Sequence, residues 1–347
     1  MMTVRNFVGR IGLPRLIIAL FLFSLFAVAP FVGVRVDTSL SDVFVRFGMN
    51  GIMVLAMVPM IQSGCGLNFG LPLGVIAGLL GACISIELDV IGFKGFGLAI
   101  LIALPFAVGL GCFYAQILNR VKGGEMMIAT YVGFFVVALM CLGWTLLPFK
   151  SPVMLWGYGG EGLRTTISVG GHWNRVLDEF LSFNIGGHFF FPLGMYIFMA
   201  AVCCVVSLFM RTRTGAEMAS VGTNPDFARA AGVNVDRMRT LSVVISTVLG
   251  AVGILVYEQS FGFIQLYMAP FYMAFPAVAS ILLGGASIKK ATLSNVIIGT
   301  FLFQGIVTMT PSVINSMIES DMSEVLRIVA SNGMILYALT RKGTVRR

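Results

Sequence analysis

Charge is what this sequence has least of. Of its 347 residues only 11% are Asp, Glu, Lys or Arg, against 58% hydrophobic, and the mean hydropathy is +0.95. Soluble domains carry about 25% charged residues, so the chain lacks the side chains to solvate a globular surface of its size. That excludes a soluble enzyme and a soluble binding module. Histidine is almost missing: His172 and His188 are the two. The six cysteines (Cys65, Cys83, Cys112, Cys141, Cys203 and Cys204) lie in apolar stretches, without a CxxC pair or a Cys/His metal spacing. They read as small apolar residues, and neither a disulfide nor a metal site is expected. A phosphate-cradling G-x-x-x-x-G-K-[ST] loop is missing too, because GGASIKK lacks the closing Gly-Lys-Ser/Thr. The chain is therefore not expected to be an enzyme, nor to bind a nucleotide, metal or other cofactor itself.

Long apolar runs are what it has instead. A membrane-crossing helix needs ~20 consecutive, mostly apolar residues, and ten windows qualify: 14–34, 43–62, 67–86, 95–118, 126–148, 188–210, 240–258, 270–287, 291–310 and 323–340. Ala27-Val28-Ala29 has the look of a signal-peptidase box, but Pro30 follows it and the apolar run continues to about Val34, so a retained first span is expected. Basic residues supply an independent test, since cytoplasmic loops of membrane proteins are enriched in Lys and Arg. With both termini in the cytoplasm and ten alternating spans, sixteen of the 23 Lys and Arg residues fall inside, among them Arg5, Arg10, Arg15, Lys122, Arg211, Arg213, Arg237, Arg239, Lys289, Lys290, Arg341, Lys342, Arg346 and Arg347. Of the 15 acidic residues, eleven fall outside. One span more or fewer destroys this contrast. The expected fold is all-α: a polytopic membrane protein of about ten helices, both ends cytoplasmic, forming one domain over residues 1–347 with no linker.

Two polar segments interrupt it. The external one, about 150–187, contains WNRVLDEFLSFN, whose Trp173, Val176, Leu177, Phe180 and Leu181 share one helical face while Asn174, Arg175, Asp178 and Glu179 share the other. This predicts an amphipathic helix, lying in the outer interface or packed on neighbouring spans. The cytoplasmic one, about 211–240, contains TNPDFARAAG. Asn224 can cap free amides, Pro225 suits the first helical position, Asp226 favours the positive end of the dipole, and Gly232 suits a left-handed stop. A helix of two turns follows, marginal alone in water: either a solvated loop helix or a docking element for a soluble partner.

A resemblance favours the second. VGTNPDFARAAGVNVDRM resembles the cytoplasmic loop of the ABC-importer permeases serving simple sugars, nucleosides and branched-chain amino acids, with Gly222, Asn224, Ala228, Ala231, Gly232 and Val235 on the family's pattern. FPAVASILLGGAS and GCGLNFGLPLG extend the likeness over about residues 45–340. At the latter, Asn68 stands where sugar-type members carry Asp, and Lys289-Lys290 replace further glycines after Gly284-Gly285, both of which weaken a sugar assignment. The resemblance implies that this loop is a coupling helix seated on a separate ATPase, with Asn224, Phe227, Ala228, Ala230, Ala231 and Gly232 as its contact residues. It also implies a second permease copy or paralogue, an extracytoplasmic solute-binding protein, ATP bound by the partner subunit, and residence in the bacterial cytoplasmic membrane.

The pathway residues are chosen on physical grounds. Gly64, Gly66, Gly70, Pro72 and Gly74 predict a broken helix near 64–74, since irregular backbone at membrane depth is tolerated where it is buried or lines a cavity. Tight helix packing by small residues is the competing explanation. Asn50, Asn68, Phe69 and Gln304 are the candidate lining residues. Ionisable residues at mid-span look scarce, which argues against an ion-coupled secondary transporter, and Glu258 at the outer end of its span is expected to serve a structural pairing. The leading expectation is the permease subunit of an importer for a small neutral polar solute, such as a nucleoside or sugar. The rivals are a secondary transporter and a non-transporting component of a membrane complex. Nucleic acid is not an expected partner.

Overall fold

Apolar runs of this length have no way to satisfy backbone amides in lipid except as helices, and helices fall in every one of the ten windows. The computed structural model describes residues 13–121, 123–156, 162–317 and 323–340. Arg5, Arg10, Lys122, Arg341, Lys342, Arg346 and Arg347, and with them both chain ends, lie outside the described residues. In chain order the main helices are α1 (Leu13–Val28), α2 (Val36–Leu55), α3 (Met57–Gln62), α4 (Leu71–Glu87), α5 (Gly92–Arg120) and α6 (Glu125–Leu146). After the 150–187 segment, which holds the single turn α7 (Val176–Glu179), come α8 (Leu193–Arg211), α9 (Arg213–Thr223), α10 (Pro225–Ala230) and α11 (Val235–Phe261). The chain then forms α12 (Ala269–Tyr272), α13 (Ala274–Leu283), α14 (Leu293–Met317) and α15 (Ser323–Thr340).

Among the described residues, seven helical segments are long and apolar enough to cross a membrane: Arg15–Val32, Val36–Gln62, Gly92–Arg120, Glu125–Leu146, Leu193–Arg211, Val235–Phe261 and Leu293–Met317. Leu71–Glu87 and Ala269–Leu283 are shorter apolar helices. Each gives up its first turns to a break rich in glycine or proline, and α15 carries Glu324 and Arg327 near its start. Nor is the chain purely helical. Four three-residue strands form two antiparallel pairs: β1 (Thr166–Ser168) with β4 (Phe263–Gln265), and β2 (Phe183–Ile185) with β3 (Phe189–Phe191).

Burial sorts the helices into an inner and an outer set. Within their most apolar windows α2–α3, α11 and α14 are mostly buried, whereas α1, α5, α6 and α8 bury less than a third of theirs. The exposed positions of the outer set are apolar (Leu101, Phe135, Leu139, Leu142, Val205), as a lipid-facing surface requires. Close approach in the inner set depends on small residues. A Cβ on Gly74 would stand 2.4 Å from the Thr247 carbonyl oxygen and one on Gly78 2.7 Å from that of Ala251, so α4 and α11 touch backbone to backbone. Both readings of the glycine run therefore hold, at different places. Gly64 (φ 77°) and Gly66 (φ 82°) take left-handed conformations that break the helix, while Gly74 is a packing residue within α4.

Candidate functional site

The polar insert at 211–240 folds as α9, α10 and the start of α11. Asn224 ends α9 and begins α10, its Oδ1 accepting from the amides of Asp226 (3.1 Å) and Phe227 (3.0 Å). At the other end of α10, Gly232 adopts φ 82°; its N–H donates to the Arg229 carbonyl (3.0 Å) and the Val233 N–H to that of Ala228 (2.9 Å). That is a Schellman stop, completed by packing of Val233 near Ala228. Asn234 then caps α11 by accepting from the Arg237 amide at 3.0 Å. The sequence reading had the cap and the stop, but not α9, whose Thr212 cap precedes a segment too polar to stand out.

The six predicted coupling residues divide by direction. Ala228 is buried against Val221, Val235 and Met238, and so holds α10 to its neighbours. Phe227 (66% exposed), Ala230, Ala231 and Gly232 face outward. Arg229 pairs with Asp226 at 3.2 Å on the same exposed surface, and a shallow cavity lies beside it, lined by Gly232, Val233, Asn234 and Asp236. Arg239, read from sequence as a flanking surface charge, instead points inward. It is buried, ion-paired with Glu125 at 2.9 Å, and ties α11 to the α5–α6 loop.

Inward from α10, the insert is fastened to the break after α3. Gly222 lies so close to this turn that a Cβ on it would meet the Gln62 carbonyl oxygen at 2.0 Å. Ser242 of α11 donates to Ser63 Oγ at 2.6 Å, and Gln62 Nε2 donates to the Ala291 carbonyl at 2.6 Å. Four segments thus converge on Gln62–Gly64: α3, α9, α11 and the 286–292 loop. Nothing in the sequence announces this junction, because Gln62 and Ala291 are 229 positions apart.

The break itself is held by a buried amide. Asn68 has no exposed surface; its Nδ2 donates to Ser246 Oγ at 2.7 Å, its Oδ1 accepts from the Tyr114 hydroxyl at 3.2 Å, and Ser246 donates onward to the Ala56 carbonyl at 2.5 Å. One side chain therefore links α5, α11 and the α2–α3 junction. Phe69 is half-buried, with its ring centroid 5.7 Å from that of Phe275. Asn50, on α2, donates to the Arg46 carbonyl at 2.9 Å, and Gln304 is buried on α14, a helix that packs against α2. The four candidate pathway residues thus sit on three elements rather than in one cluster.

In the 150–187 segment the expected amphipathic helix shrinks to the single turn α7. Arg175 and Leu181 bracket it with left-handed backbone (φ 50° and 53°), which no longer helix accommodates. Asp178, placed on the solvent face by the helical pattern, is 2% exposed. It accepts from Gln259 Nε2 (2.9 Å) and Ser260 Oγ (2.5 Å), and the Leu177 amide donates to Gln259 Oε1 (3.1 Å). Burial pushes the Asp178 carboxyl above the usual carboxylate range, partly offset by those two hydrogen bonds. The pairing expected of Glu258 thus belongs to its neighbour Gln259, while the Glu258 carboxylate is buried with no hydrogen-bond partner among the described residues.

Residues 39–338 match the family model of the branched-chain amino acid transport system / permease component. Similar proteins include the autoinducer 2 import system permease protein LsrC of Enterobacter sp. (strain 638), 25% identical over 68% of this chain and 60% of that protein. The nucleoside ABC transporter permease protein NupB of Lactococcus lactis subsp. cremoris is 24% identical over 66% of this chain and 60% of its own length. A tyrosine transport system permease protein of Clostridioides difficile is 25% identical over 40% and 48%. In each case the match spans less than two thirds of the relative. No solved structure matches the chain.

Proposed function

The chain belongs to the branched-chain amino acid transport system permease family, and we propose that it is the membrane-spanning subunit of an ATP-binding-cassette importer for a small polar solute. The observation that carries the proposal is α10: a two-turn helix capped at both ends, buried through Ala228 and leaving Phe227, Ala230 and Ala231 exposed. A short helix so firmly terminated, with its apolar residues turned outward, is built to be gripped. The partner is a cytoplasmic ATPase, which binds the ATP, since no phosphate-cradling loop occurs in this chain. Ten spans with both ends inside satisfy the distribution of basic residues, putting the 150–187 segment on the outer face, where a solute-binding protein delivers its ligand. A second permease copy or paralogue completes the passage through the bacterial cytoplasmic membrane.

Alternating access follows from the junction at Gln62–Gly64. Motion of α10 is transmitted through α9 and Gly222 to the broken segment, because backbone packed against backbone has no flexible side chain to absorb it. The named relatives serve an autoinducer, nucleosides and tyrosine, so the family sets the machinery and leaves the solute open; a nucleoside or sugar fits a pathway of amides and hydroxyls. Reconstitution into vesicles tests the reading: uptake should require ATP, the ATPase and the binding protein together, and Ala231→Arg should abolish it while the chain still inserts. Uptake driven by an ion gradient alone, or unaltered coupling in Ala231→Arg, would overturn it.

A further inference from the structure

The segment Val36–Gln62 is the most buried of the seven candidate spans, and only two of its residues, Asp42 and Arg46, are exposed. They stand one helical turn apart, and half-buried Asn50 follows one turn later on the same face. Arg46 is the eleventh of 27 residues, ~15 Å along the helix axis at 1.5 Å per residue, and therefore within the hydrocarbon layer. The large exposed side chains of the outer helices are mostly Leu, Phe and Val. An acid, a base and an amide on the one open strip of an otherwise buried span cannot face lipid, since intramembrane charges face a protein interior or a water-filled cavity. On α11 the Tyr257 ring stacks on Phe261 with centroids 5.5 Å apart.

We propose that Asp42, Arg46 and Asn50 line the aqueous passage of the solute, and that the opposed charges of Asp42 and Arg46 make it a passage for solutes without net charge. The carboxylate accepts from hydroxyl groups, the guanidinium donates to ring and carbonyl oxygens, and the amide does both. Because the two charges cancel, an anion or a cation gains from one and is repelled by the other. The Tyr257–Phe261 pair offers a flat apolar surface for a sugar or base ring. The sequence windows, which began this span at residue 43, left Asp42 outside it and gave Arg46 no partner on its face. This inference rests on the importer reading, whose own test is the ATP-dependence of uptake.

The test uses the full chain in membrane vesicles, with its six cysteines replaced by alanine and a single cysteine introduced as Asn50→Cys, or as Leu101→Cys for a lipid-facing control. Cationic, anionic and neutral methanethiosulfonate reagents are the probes, each rate normalised to a free thiol. All three should label Asn50→Cys and leave Leu101→Cys unmodified, because the reaction needs a hydrated thiolate. Adding Arg46→Ala should favour the cationic over the anionic reagent by about threefold to tenfold, and Asp42→Ala should reverse that preference. Two variants of opposite sign guard against a general disturbance of the fold. An unreactive Asn50→Cys, or a charge preference untouched by both substitutions, would overturn the proposal even where uptake is ATP-driven; labelling as expected without ATP-driven uptake would instead count against the importer reading.

Discussion

Gly222 and Gly64 meet backbone to backbone: a Cβ added to Gly64 would lie 3.0 Å from the Gly222 Cα, and one added to Gly222 would lie 2.9 Å from the Gly64 nitrogen. One residue lies in the last turn of α9 and the other in the broken segment after α3. Their contact joins α9 directly to the break.

Gly222→Ala should separate these two segments. The methyl group has only main-chain atoms to displace, and overpacking of this kind costs ~1–3 kcal/mol. ATP-driven uptake is expected to fall sharply while the yield of inserted protein stays near wild type. Gly232→Ala is the contrast. Its Cβ meets nothing within 4 Å, so it carries only the left-handed strain of about 1–2 kcal/mol and should leave more activity. Equal uptake in the two variants would refute the mechanical role of the glycine contact.

Asn224→Ala removes the acceptor for two amides of α10 and should destabilise that helix by about 1 kcal/mol. Asn224→Ser restores an acceptor and should recover most of the loss. The measurement is amide hydrogen exchange at Asp226 and Phe227, which should quicken in the alanine variant and return toward wild type in the serine one.

Phe227→Ala touches no packed core, so the melting temperature in detergent should not change. If the ATPase grips this ring, the truncation should weaken association by about tenfold, as expected for an aromatic anchor worth ~1.4 kcal/mol. Binding of the purified ATPase to the permease in nanodiscs reads this directly. Undiminished affinity would place the contact elsewhere on α10.

Asn68→Leu keeps the volume approximately but takes the acceptor from the buried Tyr114 hydroxyl, while Ser246 keeps its bond to the Ala56 carbonyl. Each buried polar group left without its partner costs about 1–3 kcal/mol. The variant should melt several degrees lower, and Asn68→Leu combined with Tyr114→Phe should recover part of the loss. An additive double mutant would show that the two side chains do not act as one network.

Asp178 predicts a pH dependence where α7 docks on α11. Its pKa in the folded state is raised by burial, so the folded form binds its proton more tightly than the unfolded form. Docking of α7 on α11 is then most stable below the ordinary carboxylate range, weakens as pH rises through the raised value, and levels off above it. Exchange of the Leu177 amide, corrected for its intrinsic rate, should accelerate across that window. Asp178→Asn should abolish the dependence.

Much of this protein was written in one dimension. Apolar length fixed the helices, because lipid leaves the backbone no other partner, and Asn224, Pro225 and Gly232 marked both ends of α10, because caps and stops are local chemistry. What the chain order could not reveal was which polar side chains find partners far away. Asp178 looked solvent-facing until Gln259 and Ser260 satisfied it; Arg239 looked like a surface charge until Glu125 turned it inward. Asp42 and Arg46 gained meaning only when no other residue of α2 proved to be exposed. Burial and pairing between distant segments are collective properties of packing, so tertiary structure alone decided which segments meet at Gln62–Gly64 and which strip of one helix remains exposed.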